Sequence, residues 1–198
     1  MDTTIPNIKF DKKGICSFCK DYDKRAPSFS VLKERSNKDQ MIKKLLKSQS
    51  NNKGYPIILG LSGGVDSAYL ALKLHDWGIK PLYFHVDCGW NTELATHNIQ
   101  QIIKYTSCEL ITKVVDWPTI SNMQKAYLFS GVSNQDAVQD HAFFSNLYDF
   151  AKKNKTHFLL TGGNFQTECI APTWHGPAMD SYNLKDICKK NGCKDTSR

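Results

Sequence analysis

The segment Ser62-Gly63-Gly64-Val65-Asp66-Ser67 limits the possible folds of this chain more than any other, because of what flanks it. Before it, Pro56 to Leu61 is continuously apolar, the pattern of a strand covered by helices on both faces. After it, Val65 to Trp77 carries Ala68, Ala71, Leu72 and Leu74 at helical spacing, and Gly78 stands where such a helix ends. Strand, two-glycine turn and helix follow one another directly. Consecutive glycines let the backbone turn sharply and approach an oxyanion with no Cβ in the way, while the helix's first N–H groups and dipole favour negative charge. Ser62 and Ser67 add hydroxyl donors. No lysine follows, so this is not the G-x-x-x-x-G-K-[ST] loop, and Gly60 to Gly64 does not fit G-x-G-x-x-G.

The same texture continues downstream. Pro81 to Val86 reads as a second strand, and Thr92 as the N-cap of a helix carrying Ile99, Ile102 and Ile103 on one stripe. Val114 and Val115 mark a third strand, Phe143, Leu147, Phe150 and Ala151 one further helix ending near Asn154, and Phe158 to Leu160 a fourth strand. The order βαβαβαβ predicts an α/β fold with a doubly wound, mainly parallel sheet and ligands at the carboxyl ends of its strands. Asp87 closes strand two, and Thr161-Gly162-Gly163-Asn164 closes strand four with Glu168 beyond it. Alone, Asp87 is equally a solvent-facing carboxylate and Gly162-Gly163 an ordinary turn; together with the first loop they converge on one crevice.

Charge divides the chain. Residues 1–53 hold 13 Lys+Arg against 6 Asp+Glu, whereas residues 54–198 hold 13 against 13. A basic appendage over 1–53 is therefore expected before a neutral domain over 54–198. Within it, Met41, Ile42, Leu45 and Leu46 predict one amphipathic linker helix. A basic segment suits an anionic partner such as RNA, but a solvated Lys-rich helix is the commoner explanation, so nucleic acid is not the expected ligand. Met1 to Phe10 lacks a leader pattern and no apolar run approaches ~18 residues, which predicts a soluble, cytoplasmic protein without membrane contact. Seven cysteines, an odd number without a disulfide-scaffold pattern, are expected to be reduced.

The loop resembles that of the PP-loop ATP pyrophosphatases, a superfamily with a Rossmann-like adenine-nucleotide fold. That resemblance implies ATP binding by Ser62, Gly63, Gly64, Asp66 and Ser67, with Asp66 toward Mg²⁺, and nucleotide contacts from Asp87, Gly162 and Gly163. Further stretches resemble the N-acetyl sugar amidotransferases of bacterial surface-polysaccharide (lipopolysaccharide) and nonulosonic, pseudaminic-type acid biosynthesis. They are Gly14-Ile15-Cys16-Ser17-Phe18-Cys19, Val86 to Asn91, Gln139-Asp140-His141-Ala142-Phe143-Phe144, and Leu160 to Cys169. The resemblance implies an enzyme that adenylates the acetamido oxygen of an N-acetyl sugar or sugar nucleotide. Ammonia from a separate glutaminase subunit then displaces AMP to give an acetamidino sugar. Asp66, Ser67, Asp140, His141 and Glu168 are the implied catalytic residues, and Gln139, Trp90 and Asn91 would grip the sugar. A histidine near neutral pKa suits proton relay, although His141 equally suits a locally satisfied helix start. Trp117, Trp174 and His175 read as packing or loop residues. A homo-oligomer is compatible with this reading.

The chain departs from that pattern at both ends. The family carries a second C-x-x-C pair just before a Met-Asp stretch like Met1-Asp2, giving four thiolates for zinc. Here Cys16 and Cys19 supply half of a Zn²⁺ site, to be completed by a preceding segment, by Cys188 and Cys193, or by another subunit. The expected continuation after Gly192 is also missing, which predicts a truncated C-terminus. A tRNA-thiolating PP-loop enzyme and a non-catalytic nucleotide-binding remnant are the alternatives; the first is disfavoured because Cys88, Cys108 and Cys169 form no C-x-x-C pair.

Overall fold

Strand β1 (Ile57–Gly60) has no exposed residue, and this places it at the centre of the sheet. The computed structural model describes residues 1–25, 35–50, 54–163 and 180–193. Their elements run α1 (Ser17–Arg25), α2 (Arg35–Ser50), β1, α3 (Val65–Asp76), β2 (Leu82–Asp87), α4 (Glu93–Thr106), β3 (Leu110–Val114), α5 (Trp117–Ser130), α6 (Ala137–Lys153), β4 (Phe158–Leu160) and α7 (Ser181–Lys190). Among the described residues four strands form one sheet in the order β3-β2-β1-β4, with every pairing parallel. Ile58 faces Leu82 across one pairing, and Ile57 faces Phe158 across the other.

Because successive strand side chains alternate between faces, β1 and β2 serve two cores. Ile58, Leu82, Phe84 and Val86 pack with Ile120, Tyr127, Val138, Leu147 and Ile187 from α5, α6 and α7. Ile57, Leu59 and Tyr83 pack on the opposite face with Ala71 and Leu74 of α3, Ile99 and Ile102 of α4, and Leu46. The result is the expected doubly wound α/β sandwich.

Local signals explain several boundaries. Thr92 caps α4 as expected, its Oγ1 accepting from Ala95 N–H at 3.1 Å. At the end of α3, Gly78 N–H donates to the His75 carbonyl and Ile79 N–H to the Leu74 carbonyl, a Schellman closure that buries Ile79.

Two expectations need correction. The interval between β3 and β4 holds two helices rather than one. Helix α5 buries Ile120, Gln124, Ala126 and Tyr127, a set too mixed in polarity to form a clean apolar stripe. Its signal was instead the Asp116 cap, which accepts from Thr119 N–H at 2.9 Å, with Pro118 in the first turn. Secondly, only one residue of the predicted α2 stripe is buried: Leu46 is 3% exposed, but Met41 and Leu45 are 68% and 48% exposed. Met41 and Leu45 lie ~100° around the helix from Ile42 and Leu46, and that neighbouring face meets solvent. The compact unit that holds the sheet begins at Leu46, inside α2.

Candidate active site

The turn after β1 is held closed by its own hydroxyls. Buried Ser67 on the first turn of α3 accepts from Ser62 N–H at 3.3 Å and donates to the Gly64 carbonyl at 3.1 Å. Its Oγ also lies 3.1 Å from Ser62 Oγ, which in turn accepts from Gly64 N–H at 3.3 Å. Gly63 occupies the left-handed region at φ 81°, and a Cβ there would collide with the carbonyl group of Ala95 on α4. Asn98, one turn along α4, donates from Nδ2 to the Gly63 carbonyl at 3.0 Å. Thus α4 braces the turn, a contribution that no local motif announces.

The sheet order places this turn at a topological switch point. From β1 the chain winds outward through β2 and β3, and β4 then returns to the opposite side of β1. Crevices of doubly wound sheets open where strand order reverses, at the carboxyl ends of the strands. Gly162, immediately beyond β4, approaches so closely that a Cβ on it would lie 2.9 Å from Ser67 N and 3.2 Å from Asp66 Cβ. Asp66 stands exposed at the start of α3, where a carboxylate also favours the helix dipole. Ser62, Gly63, Gly64, Asp66, Ser67 and Gly162 therefore meet in one place.

Beside the turn lies a cleft of about 390 Å³, lined by Ser62, His85, Asn91, Ala95, Asp140 and Phe143 among others. His85, near the end of β2 and buried, bonds through Nδ1 to the Leu61 carbonyl at 2.8 Å and through Nε2 to Asn91 Nδ2 at 2.9 Å. Trp90 also lines the cleft, and its ring stands edge-on to Trp117 at 5.3 Å between centroids. Trp117 in turn packs over Gly89, where a Cβ would lie 2.7 Å from its ring. Both indoles remain about half exposed. Trp117 thus packs against both Trp90 and Gly89.

Gln139 and Asp140 reach the cleft from the first turn of α6. Burial raises the Asp140 carboxyl above the ordinary aspartate range, and Asp136 adds to the rise while His141 opposes it. Burial likewise pushes the Cys88 thiol in the cleft wall upward, which keeps it protonated and weakly nucleophilic. His141 does not line the cleft; its Nε2 is buried without a hydrogen-bond partner among the described residues. Asp87 ends β2 as expected, but one carboxylate oxygen accepts from Gly89 N–H at 2.8 Å and so closes its own turn. Gly163 follows Gly162, while Glu168, Trp174 and His175 lie outside the described residues. The residues that sequence reasoning missed are His85 and Asn98. His85 stands in an apolar run where only the polarity of one side chain signals it, and Asn98 is one amide on an amphipathic helix.

In the N-terminal unit, an antiparallel bridge between Phe10 and Cys16 forms a tight knuckle. Lys20 and the Ile15 N–H hold the Asp11 carboxyl down to about 2, fixing the turn beneath it. The Cys19 N–H points at Cys16 Sγ from 3.4 Å and pulls that thiol's pKa down, and the two sulfurs are themselves 3.4 Å apart. Two thiolates at this separation suit two corners of a tetrahedral metal shell, but among the described residues no cluster of three ligands exists. Cys188 is fully buried at the end of α7, and its neighbour Cys193 donates to the Asn122 carbonyl at 3.4 Å. Among the described residues no helix is long and apolar enough to cross a membrane.

No protein-family model matches this sequence, and no curated protein matches it. Solved structures do. A glutamine-dependent NAD+ synthetase from Acinetobacter baumannii in complex with ADP superposes with a TM-score of 0.53 at 17% identity, over 92% of this chain and 36% of that one. An NMN synthetase from Francisella tularensis gives 0.49 at 16% identity, covering 80% and 71% of the two chains. An NH3-dependent NAD synthetase from Campylobacter jejuni gives 0.48 at 14%, covering 78% and 70%. NAD synthetases belong to the PP-loop ATP pyrophosphatase superfamily, and this chain shares their mostly parallel α/β fold.

Proposed function

We propose that this chain is an ATP-dependent amidotransferase that converts the acetamido group of an N-acetyl sugar, free or nucleotide-linked, into an acetamidino group. The observation that carries the proposal is the self-bonded Ser62–Ser67 turn at the switch point, closed by Gly162 and opening beside a cleft with a flat aromatic wall. Glycines that a Cβ would block, hydroxyls and the α3 N-terminus suit the phosphates of ATP. Asp66, exposed beside them, suits the accompanying Mg²⁺, which would supply charge neutralisation.

The acetamido oxygen attacks the α-phosphorus of ATP, and pyrophosphate departs. Ammonia then adds to the activated imidate carbon, a proton is lost, and AMP leaves with the original amide oxygen. Amide oxygen is a poor leaving group, and adenylation removes that obstacle. Asp140, in the cleft with its pKa raised by burial, is a stronger base than an ordinary carboxylate and takes the proton from the added ammonia. Trp90, backed by Trp117, offers the indole face against which the apolar face of a sugar ring packs. Ammonia is supplied by a separate glutaminase subunit, and the enzyme acts in the cytoplasm as a homo-oligomer.

The test incubates the protein with ATP, Mg²⁺, ammonium and acetamido sugar nucleotides or tRNA, following AMP, pyrophosphate and acceptor mass. A one-unit mass decrease on the sugar, oxygen exchanged for NH, is expected. Sulfur incorporated into tRNA would sink the proposal. Ser67→Ala should lower AMP formation ~10²-fold, the usual loss for one aligned donor at developing charge.

A further inference from the structure

The chain of hydrogen bonds through His85 has a fixed direction. Leu61 contributes a carbonyl oxygen, which can only accept, so His85 Nδ1 carries the proton of that 2.8 Å bond. In the neutral imidazole Nε2 then holds a lone pair and must accept. The group 2.9 Å away is the Asn91 side-chain amide, which satisfies Nε2 only by turning its NH2 inward. The opposite rotamer would set Asn91 Oδ1 against the lone pair. Asn91 is exposed whereas the His85 ring is 7% exposed, so the buried ring orients the exposed amide. No described residue donates to Asn91 Oδ1, and Asn91 lines the cleft.

We propose that His85 is a positioning residue that fixes the polarity of Asn91, so that Asn91 presents Oδ1 to the cleft and binds a hydrogen-bond donor of the acceptor substrate. On the function proposed above, on which the substrate assignment rests, that donor is the acetamido N–H. Holding the N–H leaves the acetamido oxygen unshared and free to reach the α-phosphorus. The Leu61 carbonyl lies one peptide before Ser62, so a single hydrogen-bonded chain links the phosphate turn to the acceptor. An ester or N-methyl amide in place of the acetamido group has no such donor.

Two measurements test this. Nitrogen-15 spectra of the imidazole rings in the full chain report the tautomer directly: His85 is expected as Nδ1–H, and an Nε2–H tautomer overturns the polarity. In steady-state assays Asn91→Leu is expected to raise KM for the acetamido sugar about tenfold with kcat within about threefold, the loss of one neutral hydrogen bond. Wild type should bind the acetamido sugar about tenfold more tightly than its O-acetyl analogue, and Asn91→Leu should not distinguish them. His85→Gln, whose amide keeps a donor for Leu61 and an acceptor for Asn91, should retain KM within about threefold, whereas His85→Leu should behave like Asn91→Leu. Unchanged KM and unchanged analogue selectivity in Asn91→Leu overturn the inference. A wild type that forms no AMP with any acetamido sugar overturns the substrate reading, and the ring-nitrogen spectrum then decides the polarity alone.

Discussion

The phosphate turn and the adjoining cleft differ in how their polar atoms are used. In the turn, Ser62 and Ser67 bond to each other and to the backbone of Ser62 and Gly64, and Asn98 takes up the Gly63 carbonyl from outside. Its geometry is set before any ligand arrives, which lowers the cost of ordering on binding. In the cleft, by contrast, capacity is left over: Asn91 has an oxygen without a described donor, Asp140 carries a raised pKa, and two indoles remain half exposed. Rigidity therefore belongs to the part that handles phosphate, a group common to many substrates. Spare polar and aromatic surface belongs to the part that must recognise one acceptor.

The most severe break of this contrast is Gly63→Ala. A non-glycine residue in the left-handed region costs ~1–2 kcal/mol, and here the added Cβ also meets the Ala95 backbone, which cannot swing away. AMP formation should fall by more than ~10²-fold, with α3 displaced from the β4 end. If Gly63→Ala retains wild-type ATP turnover, the turn is not preset.

A milder change asks whether the preset geometry comes from outside the turn. Asn98→Leu removes one hydrogen bond to the Gly63 carbonyl, worth ~1 kcal/mol, so the melting temperature should drop by ~2–4 °C. KM for ATP should rise about threefold, while acceptor binding is unaffected. An equal rise for both substrates would show that turn and cleft are one unit, and the comparison would fail.

These residues also show what the sequence makes legible. Ser62 to Ser67 could be read because strand, turn, cap and helix are contiguous and each step has a local physical cause. The doubly wound order was legible for the same reason, through apolar runs alternating with helical stripes. The cleft draws one wall from β2 and the turn after it and another from α6, about fifty residues later, so no window contains it. The block around Gln139, Asp140 and His141 was found through resemblance, and of the three Gln139 and Asp140 line the cleft. His85 escaped because a histidine inside an apolar strand is ordinarily satisfied by packing; only the distances to Leu61 and Asn91 give it a role. Helix α5 escaped because its buried face mixes Gln124 with Ile120 and Tyr127.

The smallest expected effect concerns Asp140 and sharpens the cleft side of the comparison. Its carboxyl is raised chiefly by burial, with a further contribution from Asp136 and a partial offset from His141. An unfolded chain releases this proton near the usual ~3.9, whereas the folded chain holds it to a higher pH. Between those two values the folded state binds more protons, so Asp140 makes stability fall as pH rises through that window, and the loss persists above it. Asn at this position carries no charge at any of these pH values. Denaturant titrations from pH 3 to pH 7 should therefore show wild type and Asp140→Asn with similar stability at the acid end, and the variant gaining relative to wild type as pH rises. The gain should be small, because Asp140 is only partly buried. A difference that stays constant across the range, or reverses with pH, would mean that Asp140 is satisfied within the folded chain, like the serines of the turn, and is not held in reserve for the acceptor.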